Sequence, residues 1–519
     1  MPPPCSRHHV GVADVGVADE EEVSVVARML LVLVLGLAWG EAKSDSPNVL
    51  LIVTDEHNFR TIGCYRSLLS AEQAEMWGPG TVVTTPNLDR LAEQGVLCTR
   101  AYATAPVCSP CRAAMITGLY PHTAGVPTNN FPLRGDVPTL ATILNSHGYR
   151  TGFLGKWHLG GEGKPEWSPV IDGGFEFTTY MFNRGHWKKF GLTPSGPEVA
   201  ARDGNGEPSY AVADATGESY ATDFLTDRTI EFVTAADSAP FFAVVSYPDP
   251  HGPNTVRKPY DTMFDSLRFL PPRTYGRDDV PSPRWLGGGK NHAVFRGEQM
   301  STYFGMVKCL DDNIGRLLRA LDRSGKLDST IIMMTSDHGD LCYEHDRLNK
   351  GNPYEGSARV PLLIRYPSAL AAGQVYTAPV GTVDLTPTLL GLAGIEANTN
   401  FEGRDLSEAL AHSEATEKVA ERDVQVTFLR NAGTSANWIC AIDSRYKLVL
   451  SVNDRPWLFD AEQDPDELLN FYGRPGTEEA TWRLADALQR YVTETADEFG
   501  DHPAIAEALE SAAGRQTLP

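Results

Sequence analysis

The chain has 519 residues, 42% of them hydrophobic and 22% charged, an ordinary globular balance on a length that can bury a large core. A formal net charge of −22, with no basic stripe to neutralise phosphates, argues against a nucleic-acid binder. The eight cysteines include one C-x-x-C, Cys108 to Cys111, with no second pair to complete a closed zinc site.

Met29–Ala38 is an apolar run too short to span a bilayer comfortably, and Ala38-Trp39-Gly40 follows as a small-x-small cleavage site. Residues 29–42 therefore read as a signal peptide, with export to the periplasm or the exterior. Asp14, Asp19 and Glu20 to Glu22 carry the wrong sign for a signal n-region. Residues 1–28 are accordingly expected to be a non-translated or disordered extension, with translation starting at Met29.

Asn48–Thr54 is a continuous aliphatic and β-branched run, a doubly buried strand that ends abruptly in Asp55-Glu56-His57. A helix is expected over Thr85–Ala92. Cys108-Ser109-Pro110-Cys111-Arg112 then opens a second helical run, Ala113–Gly118, and sets a nucleophile and a guanidinium beside free N–H groups at a helix mouth, a place to hold a tetrahedral oxyanion. The same C-x-x-C would serve a dithiol oxidoreductase. After a helix at Leu140–Ser146, the strand beginning at Thr151 ends in Lys156-Trp157-His158, and alternation places Lys156 and His158 on one face. Phe241–Tyr247 is another buried strand, followed by turn residues around His251. An amphipathic helix covers Gly297–Arg323. The strand Thr330–Ser336 ends in Asp337-His338-Gly339, so two strands aim acidic clusters at one sheet edge. A helix with Asp384 as its N-cap follows, then short alternating runs at Val424–Arg430, Trp438–Ile442, Tyr446–Ser451 and Trp457–Asp460 and a terminal helix near Glu478–Thr493. The pattern predicts an α/β fold: a large mixed, mostly parallel sheet sandwiched by helices, with a small C-terminal antiparallel sheet under one covering helix.

C-x-P-x-R, its small-residue helix and Gly118-Leu119-Tyr120-Pro121-His122-Thr123 resemble the signature of the type I sulfatases, in the alkaline phosphatase superfamily. Gly155-Lys156-Trp157-His158 and the segment Lys350 to Pro361 match further motifs of that family, in the family order. The resemblance implies a catalytic domain over residues 46–395 of alkaline-phosphatase-like fold and a C-terminal subdomain over 396–519. It implies that a separate formylglycine-generating maturation enzyme oxidises Cys108 to formylglycine, whose hydrated aldehyde supplies the attacking oxygen. Asp55, Glu56, Asp337 and His338, with the side chain from Cys108, match the family's calcium site. Glu56 stands where Asp is commonest and His338 where Asn is common, which leaves magnesium or manganese open. Arg112, Lys156, His251 and Lys350 carry over as groups that bind or stabilise the sulfate, and His158 as partner of the formylglycine hydroxyl. Either His251 or Lys350 protonates the leaving oxygen, and Arg359 is expected to pack or to pair with Glu355.

The implied activity is hydrolysis of a sulfate ester, with a sulfated carbohydrate as the expected partner substrate. A formylglycine-dependent phosphonate or phosphodiester hydrolase is the alternative, and a carbohydrate-binding relative without activity is a further rival. Arg60, Asp249, Arg257, Tyr260 and His186, the last within Asn183–Trp187, are candidate substrate contacts. Ser67–Val83 and Pro271–Asn291 are expected to rim the cleft. With Cys5 removed and Cys108 converted, six cysteines remain for disulfides or free thiols.

Overall fold

Asn48–Asp55 (β1) lies near the middle of an eight-stranded sheet and is buried on both faces, as its unbroken aliphatic run requires. The computed structural model describes residues 46–286, 293–412, 425–435 and 437–513, so the expected extension 1–28 and signal peptide 29–42 lie outside the described residues. The other strands of this sheet are Val96–Cys98 (β2), Arg150–Lys156 (β3), Met181–Phe182 (β4), Phe241–Pro250 (β5), Thr330–Ser336 (β6), Leu362–Arg365 (β7) and Gln374–Tyr376 (β8), in the order β8-β2-β7-β6-β1-β5-β3-β4. Only β7 runs antiparallel to its neighbours, which makes the sheet mixed and mostly parallel, as expected.

Alternation along β1 assigns the two helical layers. Val49, Leu51 and Val53 pack against Cys108–Thr117 (α2), Leu140–Ser146 (α3) and Leu385–Leu392 (α6). Leu50 and Ile52 face Pro86–Glu93 (α1), Ala221–Thr234 (α4) and Gly297–Arg323 (α5). Because β1, β5 and β6 run parallel, with Asp55 opposite Pro250 and Thr54 opposite Ser336, their C-terminal ends deliver Asp55-Glu56, His251 and Asp337-His338 to one edge.

The C-terminal part is the expected antiparallel sheet, Thr427–Arg430 (β9), Trp438–Ile442 (β10), Tyr446–Ser451 (β11) and Trp457–Asp460 (β12). Two helices cover it rather than the one expected: Glu478–Thr495 (α7) is joined by Pro503–Ala513 (α8), and Leu484, Leu488, Ile505 and Leu509 bury Ile439, Leu448 and Leu450. Tyr102, Trp285 and Tyr354 close the opposite face over Val449, Trp457 and Phe459. Asp384 precedes α6 without capping it. Its carboxylate instead accepts from the Gly381 N–H at 2.9 Å and pairs with Arg404 at 2.7 Å. No described helix is long and apolar enough to cross a membrane, and all seven described cysteines are free thiols.

Candidate active site

α2 begins at Cys108 directly after the extended Val107 and ends at Gly118, whose φ of +68° reverses the chain. Cys108 Sγ lies 3.2 Å from His338 Nε2 and 3.9 Å from Asp55 Oδ1. Asp55, Cys108, Asp337 and His338 each bring one donor atom to within 4.8 Å of the others. Arg112, one turn along the helix, donates through Nε to Asp337 Oδ2 at 2.8 Å, and through Nη1 to the Lys156 carbonyl at 2.8 Å and Ser246 Oγ at 2.6 Å. One guanidinium thus ties α2 to the ends of β3, β5 and β6, using the planar fork that lysine lacks.

Lys156 ends β3 behind Gly155, where φ is +109° and a Cβ would stand 1.9 Å from the Ser246 carbonyl, so only glycine lets β3 approach β5 so closely here. Lys156 Nζ donates to Asp55 Oδ2 at 2.5 Å and to His186 Nε2 at 3.0 Å. His158 lies past the strand with φ of +61°, so a left-handed turn, and not strand alternation, brings its ring to the Cys108 side chain. Lys350 Nζ donates to His251 Nε2 at 2.6 Å and lies 3.1 Å from Glu56 Oε1. The His186 ring stacks on His251 with centroids 3.4 Å apart. All the expected catalytic and metal-site residues therefore converge, and His186 joins them.

Burial alone would raise the Cys108 thiol, but Lys156, Lys350 and His338 together hold it well below its usual range. The same contest leaves Asp55 well down: burial is the largest single effect and raises it, but Lys156, His251 and Arg112 together outweigh burial. For Glu56 burial wins over Lys350, and its carboxyl is pushed up to about 8. Burial works against a charged His338, yet Asp337 and Cys108 together hold its proton to about 9. His251 is driven well down by burial and then by Lys350, so it is a neutral ring. Its Nδ1 meets the Gly252 carbonyl at 2.9 Å, which fixes the proton there and leaves Nε2 to accept from Lys350.

The donor set fits a hard divalent cation. Both oxygens of the buried Glu56 accept no hydrogen bond. His338 Nδ1 meets the Gly339 carbonyl at 3.0 Å, so Nε2 faces Asp55, Asp337 and the residue-108 side chain and would become a ligand once a cation displaced its proton.

Four expected substrate contacts are placed elsewhere. Arg60 is buried and donates to Glu344 at 2.9 Å and to Gln73. Asp249 is buried and accepts from Lys188 at 2.7 Å, Tyr220 at 2.7 Å and Thr222 at 2.5 Å. Because Lys188 also donates to the His251 carbonyl at 2.8 Å, Asp249 supports that histidine from behind. Arg257 spends both its Nε and Nη2 on Asp223 at 2.7 Å, and Tyr260 donates to Asp312 at 2.9 Å. A buried charge must find an internal partner, and for these residues folding supplied one. Arg359 pairs with Glu355 at 3.3 Å, as expected. Cys111 is buried, with its thiol pushed far up by burial, a poor redox partner.

Sequence reasoning missed Ser246, Lys188 and Asp340. Asp340 Oδ1 accepts from the N–H groups of Cys342 and Asn349, both at 2.8 Å, and so closes the loop that presents Lys350. Its place directly after Asp337-His338-Gly339 was the available signal; the partners of Ser246 and Lys188 leave no trace in spacing.

A family model described as Sulfatase matches residues 47–395, and one described as N-sulphoglucosamine sulphohydrolase, C-terminal, matches 343–494. The chain is 28% identical to an ulvan-active sulfatase of Formosa agariphila, across 87% of this chain and 82% of that protein. It is 27% identical to an N-acetylglucosamine-6-O-sulfatase of Bacteroides thetaiotaomicron, across 83% and 84%. The solved phosphonate monoester hydrolase of Agrobacterium radiobacter superposes with a TM-score of 0.64 at 25% identity, across 87% and 97%.

Proposed function

This chain belongs to the sulfatase family, a group of sulfuric ester hydrolases of alkaline-phosphatase-like fold, and from that premise we propose that it removes sulfate from a sulfated carbohydrate. What supports the reading is the ring of cations around residue 108: Arg112, Lys156 and Lys350 gather there in a chain of net charge −22. The reading includes conversion of Cys108 to formylglycine by a maturation enzyme, export, and a catalytic domain over 46–395 followed by a subdomain over 396–519.

Formylglycine at 108 would offer a hydrated aldehyde whose oxygen attacks the sulfur. Asp55, Glu56, Asp337 and His338 would hold a divalent cation, calcium first, which when bound supplies positive charge beside a sulfate oxygen and the residue-108 oxygen. Lys156 and Arg112 bind the oxygens of the ester. His158, kept neutral chiefly by burial, would take the proton of the second residue-108 hydroxyl, so that the C–O bond to the transferred sulfate breaks, sulfate leaves and the aldehyde is restored. The neutral His251 accepts from Lys350, so the ammonium of Lys350 is the proton source for the leaving oxygen, directly or through His251.

Mass spectrometry of the residue-108 peptide, from protein made with a formylglycine-generating system, tests the first step. An aldehyde together with aryl sulfate turnover is expected. An unmodified thiol, while a control sulfatase is converted in the same cells, refutes it. The same residues would act on a phosphonate monoester, and the likeness to the Agrobacterium radiobacter enzyme keeps that reading in view; relative turnover of aryl sulfate and phosphonate monoester separates the two.

A further inference from the structure

Two cations at the edge of this centre lack an anionic partner among the described residues, in a chain where buried arginines such as Arg60, Arg112 and Arg430 all meet carboxylates. Arg184 makes a single hydrogen bond, to the neutral Asn130 Oδ1, and its Nε is buried without one. Lys164 is exposed and lies over the rings of Trp187 at 5.4 Å and Tyr210 at 5.0 Å. The nearby Glu166 offers no ion pair to either, and its Oε2 accepts from Asn183 Nδ2 at 3.1 Å.

Arg184 is fixed to the catalytic cluster on two sides. Along the chain, Gly185 turns at φ of +115°, where a Cβ would strike the Trp187 indole at 2.5 Å, and Trp187 Nε1 donates to the Arg184 carbonyl at 3.0 Å. This tight turn sends His186 inward to Lys156 while Arg184 stays at the rim, and two residues of backbone span at most about 7 Å. Through space, Arg184 holds Asn130, and the adjacent Asn129 Oδ1 accepts from the N–H of Ser109, next to the nucleophile, at 2.9 Å. A guanidinium so placed stands at the rim of the site centred on residue 108, on the side from which His186 reaches in. Tyr210, half-buried, centroid 6.1 Å from His186 and 4.7 Å from Trp187, adds an aromatic face at the same rim.

We infer that Arg184, assisted by Lys164, is a subsite for a second anionic group on the substrate, a carboxylate or a further sulfate on the same or the adjoining sugar. The favoured substrate is then a polyanionic saccharide and not a singly sulfated neutral one. The inference rests on the sulfatase reading and narrows its substrate class. Fork geometry suits Arg184 to either oxyanion, with Lys164 adding a point charge.

The test compares kcat/KM for a disulfated and a monosulfated disaccharide of the same backbone, and for a sulfated disaccharide with and without a uronic carboxylate. Wild type is expected to prefer the doubly anionic member of at least one pair. Arg184→Ala should cut that preference about 10- to 100-fold, mostly through KM, with Arg184→Lys intermediate and Lys164→Ala smaller. Raising NaCl to 0.5 M should erode the wild-type preference. A preference unchanged in Arg184→Ala, or absent from wild type in both pairs, overturns the inference. If no sulfate ester is turned over, the sulfatase reading fails separately. Calorimetry with Cys108→Ala protein then still decides: Arg184→Ala must weaken binding of the doubly anionic disaccharide and spare that of the singly anionic one, and equal effects on both sink the subsite.

Discussion

Replacing Asp340 with alanine should disable the enzyme without touching the substrate, because this carboxylate holds shut the loop that carries Lys350. Between its two amide partners the backbone takes positive φ at Cys342, Tyr343, His345, Asp346 and Asn349, five non-glycine residues in eight positions. At about 1 kcal/mol or more for each such residue, the loop stores at least ~5 kcal/mol of strain. The two hydrogen bonds to a charged acceptor are worth about 1.5–3 kcal/mol each, a sum comparable with the strain they restrain. Once they are lost the loop relaxes, and a shift of about 1 Å in Lys350 costs on the order of 100-fold in kcat/KM. Asp340→Asn keeps an acceptor oxygen for both amides and should lose less than about tenfold, since neutral hydrogen bonds are roughly half as strong. Steady-state kinetics on an aryl sulfate supply the numbers, and a double-mutant cycle supplies the mechanism. In a Lys350→Ala background, Asp340→Ala should add little, because the group it positions is gone. Additive losses, or an Asp340→Ala enzyme within threefold of wild type, would refute the argument.

Three further outcomes follow from the same structure. Arg112→Lys should lower kcat by about 100-fold or more, because an ammonium cannot reach Asp337, Ser246 and the Lys156 carbonyl together, and should destabilise the fold by about 2–4 kcal/mol in urea unfolding; a kcat within tenfold of wild type counts against this role. Glu56, with its carboxyl raised from 4.5 to about 8, makes metal-free protein less stable as pH rises between those values, by about 5 kcal/mol at the top of the range. Calcium should therefore raise Tm more at pH 8 than at pH 5.5, and a shift independent of pH, or one unchanged in Glu56→Gln, would contradict the assignment. Asp497→Ala strands the buried Arg430, which it holds at 2.9 and 3.0 Å, and should cost about 3–5 kcal/mol in the same urea assay; a loss under 1 kcal/mol would show the pair to be dispensable.

The site could be read from the sequence because parallel strands in one sheet must end at the same edge, so chemistry-bearing residues after Asp55, Lys156, Tyr247 and Ser336 were bound to meet. The C-terminal strands were legible by alternation, whereas α8, which follows a short turn, was not singled out. What failed was any inference that needed a partner distant in the chain. Arg60 looked available beside the metal motif, but its partner Glu344 lies 284 residues away. Asp249 looked like a loop carboxylate until Lys188, Tyr220 and Thr222 closed on it. His158 was assigned to the right place for the wrong reason, since periodicity cannot announce a left-handed turn.

The local charge balance explains why a cation belongs in such an acidic protein. Asp55, Asp337 and the Cys108 thiolate oppose Arg112, Lys156, Lys350 and the protonated His338, with Glu56 neutral, so the metal-free centre is only weakly positive, and the chain as a whole carries −22. A pocket with so small a net charge in that field benefits from any further positive charge that draws a sulfate ester inward. A divalent ion held by the carboxylates would displace the protons of Glu56 and His338 and concentrate positive charge where the ester must sit. Arg184 and Lys164 extend the same positive field to the rim, so the binding centre and the proposed subsite act in one direction against the charge of the whole chain.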